Sequence, residues 1–247
     1  MTRRTVGADG CPSGWVVVTL HDGALDAVEV VGDLREVLAE PYAAAAVDMP
    51  VGLVDGSRDA DVAARRLLPG RAGSVFSTPP RVVIDGVRDG TITDHAAATA
   101  VAVSATGKGI SMQAWRLVPK IVAVDDLVAA GHPLLEVHPE VAFAVGTGEM
   151  LPRKRSWSGI TTRRAVLERL GVVLPDRFPG DTVAAPDDVV DAAICAWVAD
   201  AAAAGQPLVR IPPVTTQRAH GREVVITARP APRVVPGPRR DPADRRP

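Results

Sequence analysis

The stretch TVGADGCPSGWVVVTLHDGALDAVEVV, residues 5–31, decides the fold. Residues 5–9 form a short apolar strand. Gly10, Pro12, Ser13 and Gly14 supply the turn chemistry that ends it, and the Val-rich run over 15–20 suits a buried, pleated strand. His21-Asp22-Gly23 is a hairpin signal, because Asp-Gly accepts the positive φ angles of a two-residue turn, and residues 25–31 are the third strand. Three strands joined by tight turns make an antiparallel meander. Just beyond it, Gly32-Asp33 opens a helix running to about Glu40, and residues 43–48 read as a short buried strand stopped by Met49-Pro50.

Further along, residues 57–68 have helical spacing, with Ser57 as cap and Asp61 and Arg65 as an i,i+4 pair. A Gly/Ser/Pro-rich loop over 69–80 follows. Helices are expected over 93–105 and 111–130, the second interrupted at Pro119. Residues 134–137 form another buried strand, ending in His138-Pro139-Glu140. Helices over 159–170 and 187–204 and a terminal strand over 223–228 complete the pattern. Residues 229–247 hold six Pro, six Arg and two Asp and cannot build a core, so a disordered tail of net charge +4 follows a single domain over 1–228 of net charge −5.

A length of 247 residues suits one globular domain, and 47% hydrophobic with 23% charged residues excludes a wholly disordered chain. No apolar run reaches the roughly 18–20 residues that cross a bilayer, so no membrane association is expected. The overall net charge of −1 excludes a polycationic surface and leaves room only for a local basic groove. Asp9, Gly10 and Pro12 interrupt any apolar stretch after Arg3 and Arg4, and the two cysteines, Cys11 and Cys195, fit a reducing compartment. The expected location is the cytoplasm. The four tryptophans do not alternate with basic residues, so no base-stacking platform is evident.

The acidic residues fall at informative places. Asp9 closes the first strand, Asp48 the fourth, Glu136 lies in the fifth, and Asp187, Asp188 and Asp191 open the last long helix. Ligand sites of open α/β sheets gather beyond the carboxyl ends of the strands, where Asp9 and Asp48 can converge. At about 100° per residue, Asp191 lies roughly 40° from Asp187 and roughly 60° from Asp188, so all three share one sector. Converging carboxylates repel unless a cation holds them, and an all-oxygen donor set favours Mg²⁺ or Mn²⁺ over zinc. The competing reading is structural: Asp187 and Asp188 cap the helix, Asp9 and Asp48 accept turn amides, and Glu136 pairs with an arginine.

The strings VGADGCPSGWVVV (6–18), VDMPVGL (47–53), DADVAARRLL (59–68), RAGSVFSTPPR (71–81), GISMQAWRLVPKI (109–121), LEVHPEVAF (135–143) and DDVVDAAICAW (187–197) stand in the order of one family's motifs. Over about residues 5–205 the chain resembles the domain-of-unknown-function family numbered 429, described as predicted RNase H-like nucleases related to the RuvC and YqgF resolvases. The resemblance implies an α/β, ribonuclease H-like fold: a mixed five-stranded sheet, made of the antiparallel meander plus parallel strands, flanked by helices and carrying a helical insertion. It also implies a metal-dependent phosphodiester hydrolase acting on DNA or RNA, with Asp9, Asp48, Asp188 and Asp191 as Mg²⁺ or Mn²⁺ ligands and catalytic acids. RuvC-like sites usually have Glu at the fourth-strand position, where this chain has the shorter Asp48. Either Glu136 or Glu140 then supplies the missing reach, or the site holds one ion.

Around that set, Lys120 is a further catalytic candidate that, with Arg65, Arg71 and Arg81, can hold a phosphate oxygen. Ser74, Gln113 and Ser111 are candidate substrate hydrogen-bonding groups, and His138 is a candidate base or ligand. Arg153, Lys154 and Arg155, with Arg163 and Arg164, form the one concentrated basic segment of the domain and can meet a nucleic-acid backbone. Two other functions suit the same fold: a binder or phosphotransferase of nucleotides or phosphorylated small molecules, using the Asp9-Gly10 turn, and a non-catalytic binding protein.

Overall fold

The computed structural model describes residues 2–178 and 184–231. Of the tail expected over 229–247, residues 232–247 lie outside the described residues. The meander forms as its sequence indicates: β1 (Arg4–Cys11), β2 (Gly14–His21) and β3 (Ala24–Val31) pair antiparallel, with Asp22 at φ 52° and Gly23 at φ 84° in the second turn. A short helix, α1 (Leu34–Leu38), follows. Asp33 and Glu36 close its capping box, in which each side chain satisfies the other residue's free backbone amide. The chain then returns as β4 (Ala44–Val47), parallel to β1.

The long connection from β4 carries α2 (Asp59–Arg66), a 3₁₀ turn (Ala72–Ser74), α3 (Arg81–Arg88), α4 (His95–Thr106) and α5 (Met112–Ala129). It ends at β5 (Leu134–Glu136), parallel to β4, and the sheet order is β3-β2-β1-β4-β5. Beyond it lie α6 (Pro139–Thr147), α7 (Trp157–Arg169) and α8 (Pro186–Ala203). Two small antiparallel pairs complete the chain: β6 (Val209–Ile211) with β9 (Ile226–Ala228), and β7 (Arg218–Ala219) with β8 (Arg222–Glu223). The protein is therefore α/β, with a mixed five-stranded sheet and eight α-helices among the described residues.

β2 is buried on both sides, and its alternation sorts the core into two layers. Val16, Val18 and Leu20 face α8, while Trp15 and Val17 face α1 and the apolar side of α5, Val118, Ile121, Val124 and Leu127. α8 is apolar nearly all round and buried from Val189 to Ala201, as a central helix must be. It lies so close to the sheet that a methyl group on Gly7 would sit 2.1 Å from the Ala196 nitrogen and 2.2 Å from the Ala192 carbonyl oxygen.

Several local expectations are corrected. Pro119 does not interrupt α5, because the apolar contacts on both sides of it hold the helix against the sheet. Arg58, not Ser57, is the N-cap residue of α2; its own side chain makes no cap bond, and the Asp59 amide donates to Gln217 Oε1 at 2.8 Å instead. Two helices were not read: α3, which starts directly after Pro80, and α6, whose His138 cap and Pro139 at the first position are a recognisable start signal. The terminal strand splits into β8 and β9. Arg229, placed in the tail by composition, stacks over the Trp197 ring at 4.3 Å.

Adding one methyl group at Gly7 must push α8 off β1. Gly7→Ala is expected to lose about 3 kcal/mol of stability by urea unfolding, and a loss below about 0.5 kcal/mol would refute the close contact.

Candidate metal centre

Strand alternation puts Gly7, Asp9 and Cys11 on the α8 side of β1, with Val6 and Ala8 on the other. On β4 the same alternation aligns Ala46 with the position of Asp48 just past the strand end. The parallel register pairs Gly7 with Ala46 and Ala8 with Val47, and the Asp48 amide donates to the Ala8 carbonyl at 2.9 Å, so Asp9 and Asp48 are lateral neighbours. α8, seated on Gly7 through Ala192 and Ala196, delivers Asp191 to the same point. Carboxylate oxygens of Asp9, Asp48 and Asp191 lie within 4.8 Å of one another.

Asp191 is 1% exposed; its Oδ2 is ion-paired with Lys154 Nζ, and its Oδ1 is buried without a hydrogen-bond partner. Among the described residues, no hydrogen bond reaches the Asp9 or Asp48 carboxylates. Every other buried carboxylate meets an arginine: Asp61 and Glu136 meet Arg58, Asp125 meets Arg81 and Arg88, and Asp200 meets Arg3. The triad, two buried acids with the half-buried Asp48, is thus the under-compensated acidic group among the described residues.

The electrostatics follow from that geometry. Burial, then the neighbouring carboxylates, pushes Asp9 and Asp48 well above the ordinary carboxylate range. Burial raises Asp191 to about 6 against the pull of Lys154. Burial works against the charge on Lys154, but Asp191, with Asp48 and Asp9 behind it, outweighs this and holds the ammonium above its ordinary value. Asp188, one helical turn before Asp191, lies outside the triad and lines an open groove with Lys154, and burial together with Asp187 raises it.

The remaining candidates are placed elsewhere. Glu136 cannot extend Asp48's reach: both its oxygens are held by Arg58, and Oε2 also accepts from the Val51 amide at 2.7 Å. That clamp fixes the chain leaving β4. Glu140 is equally committed, to Arg71 at 3.1 Å and Arg163 at 2.6 Å. Arg71 and Arg163 are therefore structural partners, not free phosphate ligands. Arg65 does not pair with Asp61; it donates to the Val75 carbonyl at 3.0 Å and Ser77 Oγ at 2.8 Å. Arg81 meets Asp125 at 3.1 Å.

Lys120 Nζ donates to the Gly14 carbonyl and lies 4.6 Å over the Trp15 ring, bracing the first turn, and burial lowers its pKa. Ser74 Oγ bonds the Arg71 carbonyl at 2.9 Å and closes the 3₁₀ turn. Gln113 is exposed on the first turn of α5, and Ser111 caps that helix. His138 caps α6: Nδ1 accepts from the Val141 amide, and Nε2–H donates to the Ser74 carbonyl at 3.3 Å. Burial lowers its pKa.

The residues that sequence reasoning missed are Lys154 as a member of the acidic site and Arg58 as its structural support. Lys154 sits in a basic run that reads as a contact for a nucleic-acid backbone, not as a partner of the acids. The one signal for Arg58 was its place immediately before the Asp59–Arg66 helix.

Mixed sheet, central helix and acid triad at the carboxyl edge of two parallel strands define an α/β protein with a candidate hard-cation centre. The chain belongs to the family described as "protein of unknown function (DUF429)", whose model matches residues 7–216. No curated protein and no solved structure matches it.

Removing Arg58 strands two buried acids, so Arg58→Met is expected to cost about 3–5 kcal/mol of stability, with a cost below about 1 kcal/mol counting against the clamp. Because the folded state holds the Asp191 proton up to about pH 6, against 3.8 ordinarily, that stabilisation is complete below pH 3.8 and lost as pH rises through 6. In EDTA the protein should be less stable at pH 8 than at pH 5, by about 1.4 kcal/mol from this residue, since about one pKa unit of the stabilisation is lost over that interval. Urea midpoints that rise over that interval would contradict the assignment.

Proposed function

We propose that this domain is a ribonuclease H-like, metal-dependent phosphodiester hydrolase that acts on nucleic acid and takes Mg²⁺ or Mn²⁺ at Asp9, Asp48 and Asp191. The observation that carries the reading is the uncompensated triad. Three carboxylates within 4.8 Å of one another, Asp9 and Asp191 buried and Asp48 half-buried, repel unless a counter-charge holds them, and one lysine does not neutralise three acids. The donor set fits the ion: all oxygen, drawn from two strands and a helix, with Asp191 Oδ1 buried and free to coordinate. The strand order, an antiparallel meander with two parallel strands added beyond its first member, supports the ribonuclease H-like assignment.

A bound Mg²⁺ or Mn²⁺ supplies Lewis-acid polarisation of a phosphoryl oxygen and acidification of water. The chain's own groups provide the rest. Asp9 and Asp48 are held side by side by the β1–β4 ladder, so their oxygens are presented without reorganisation. Lys154 is held cationic, which makes it unsuited to act as a base and suited to balance charge on a phosphate or a leaving oxygen. Asp188, at the groove edge with raised proton affinity, is the group available to take a proton from attacking water. Glu136, Lys120 and His138 act by positioning the strand end, the first turn and α6.

Calorimetry of the full chain with Mn²⁺ tests the site, and incubation with structured DNA and RNA tests the activity. Wild-type protein should take up Mn²⁺ and cleave; Asp9→Asn and Asp48→Asn should stay folded, lose cleavage and bind Mn²⁺ at least about tenfold more weakly. Failure of the wild type to take up Mn²⁺ would end this reading.

A further inference from the structure

The groove beside the triad has a volume of about 730 Å³, and its walls include Gly10, Lys154, Arg155, Trp157, Pro186 and Asp188. Trp157 is 86% exposed, whereas Trp15 and Trp197 are buried and Trp115 is half-buried. A tryptophan ring left in water forgoes the largest apolar burial any side chain offers, and on a groove wall its face is open to a planar ligand.

The ring is carried by an anchored segment. Trp157 is the first residue of α7, and Ser156 caps the helix by accepting from the Gly159 amide at 3.0 Å while donating to the Arg153 carbonyl at 2.7 Å. Gly159 packs so tightly on this segment that a methyl group there would sit 1.8 Å from the Arg153 oxygen. Buried Arg163 donates to the Pro152 carbonyl at 2.6 Å. One pre-organised stretch therefore turns Lys154 into the acids, leaves the Arg155 side chain 87% exposed and 3.5 Å from Asp187, and presents the Trp157 ring two residues on. The groove thus sets two cations, Lys154 paired with Asp191 and Arg155 beside Asp187, next to a bare aromatic face. Asp187 and Asp188 stand on the same wall, where a cation held by the acids would leave Lys154 and Arg155 to meet a phosphate. A nucleotide within a strand combines the matching parts, an anionic phosphate and a planar base. Base pairs inside a duplex have both faces covered, so the ring can engage only an unpaired base.

We propose that Trp157 is a stacking platform for an unpaired nucleobase of a DNA or RNA strand whose adjoining phosphate lies along Lys154 and Arg155 at the edge of the acid triad. This rests on the metal-dependent hydrolase reading for the orientation of the strand, and it specifies single-stranded or locally unpaired nucleic acid as the substrate class.

Fluorescence anisotropy of the full chain with labelled single strands of about 12 nucleotides, DNA and RNA separately, tests it, alongside the fully paired duplex of the same sequence. Ca²⁺ serves as the hard cation, and strand integrity is checked on a denaturing gel. Trp157→Ala is expected to weaken binding of the single strand by about tenfold or more and Trp157→Phe by less than about threefold, with duplex binding changed less than about twofold. The arm that binds tells DNA from RNA. An unchanged single-strand affinity, or an equal loss on duplex, overturns the platform. Mn²⁺ calorimetry on the same proteins separates the two readings. Mn²⁺ uptake with neither strand bound overturns the platform and leaves the metal centre standing. Trp157-dependent strand binding without Mn²⁺ uptake overturns the metal centre and leaves the platform standing.

Discussion

The contact between Gly7 and α8 governs the arrangement of this molecule. Because Gly7 has no side chain, the helix backbone at Ala192 and Ala196 rests directly on β1, the central strand of the sheet. That contact sets the register between helix and sheet. Asp9, two residues along the same face of β1, then meets Asp191, which adjoins Ala192 in α8, and the β1–β4 ladder brings Asp48 beside them. Packing with no apparent chemistry thereby fixes the acidic cluster.

Charge compensation separates framework from site. Arg58 holds Glu136 and Asp61, Arg163 and Arg71 hold Glu140, and Arg3 and Arg229 approach Asp200, each as a planar cation matched to carboxylate geometry. At the triad the cation that forms an ion pair among the described residues is a lysine, a point charge on a flexible stem that occupies one oxygen and leaves others open. A framework of satisfied pairs surrounds an unsatisfied centre, and an incoming cation finds its ligands already in place.

Much of this was legible in the linear sequence. The meander followed from Asp22-Gly23 and the Val-rich run, and Asp9, Asp48 and Asp191 were marked by their places at strand ends and a helix start. Asp188 was grouped with them by helical angle, yet one turn of rise sets it in the groove instead of the triad. Arg65, Arg71, Lys120 and His138 were indistinguishable from ligands because residue type does not reveal whether a partner already holds the side chain. Trp157 was overlooked although it follows Arg153-Lys154-Arg155 within four residues; in a sequence, an apolar residue at a helix start gives no sign that its face is left bare.

The sequence by itself determined what local rules can reach: the tight turns, the alternation that sorts β1 and β2 into two faces, the apolar length of α8, and the oxygen-only chemistry of the acids. These depend on backbone preferences and periodicity over a few residues. Only the tertiary structure decided which charges are paired. Lys154 meets Asp191 across 37 positions and Arg58 meets Glu136 across 78, and such distant partners are chosen by how helix and sheet pack. Net charge and spacing carry no record of that choice, because the energy of a buried charge is set by the neighbours that folding brings to it.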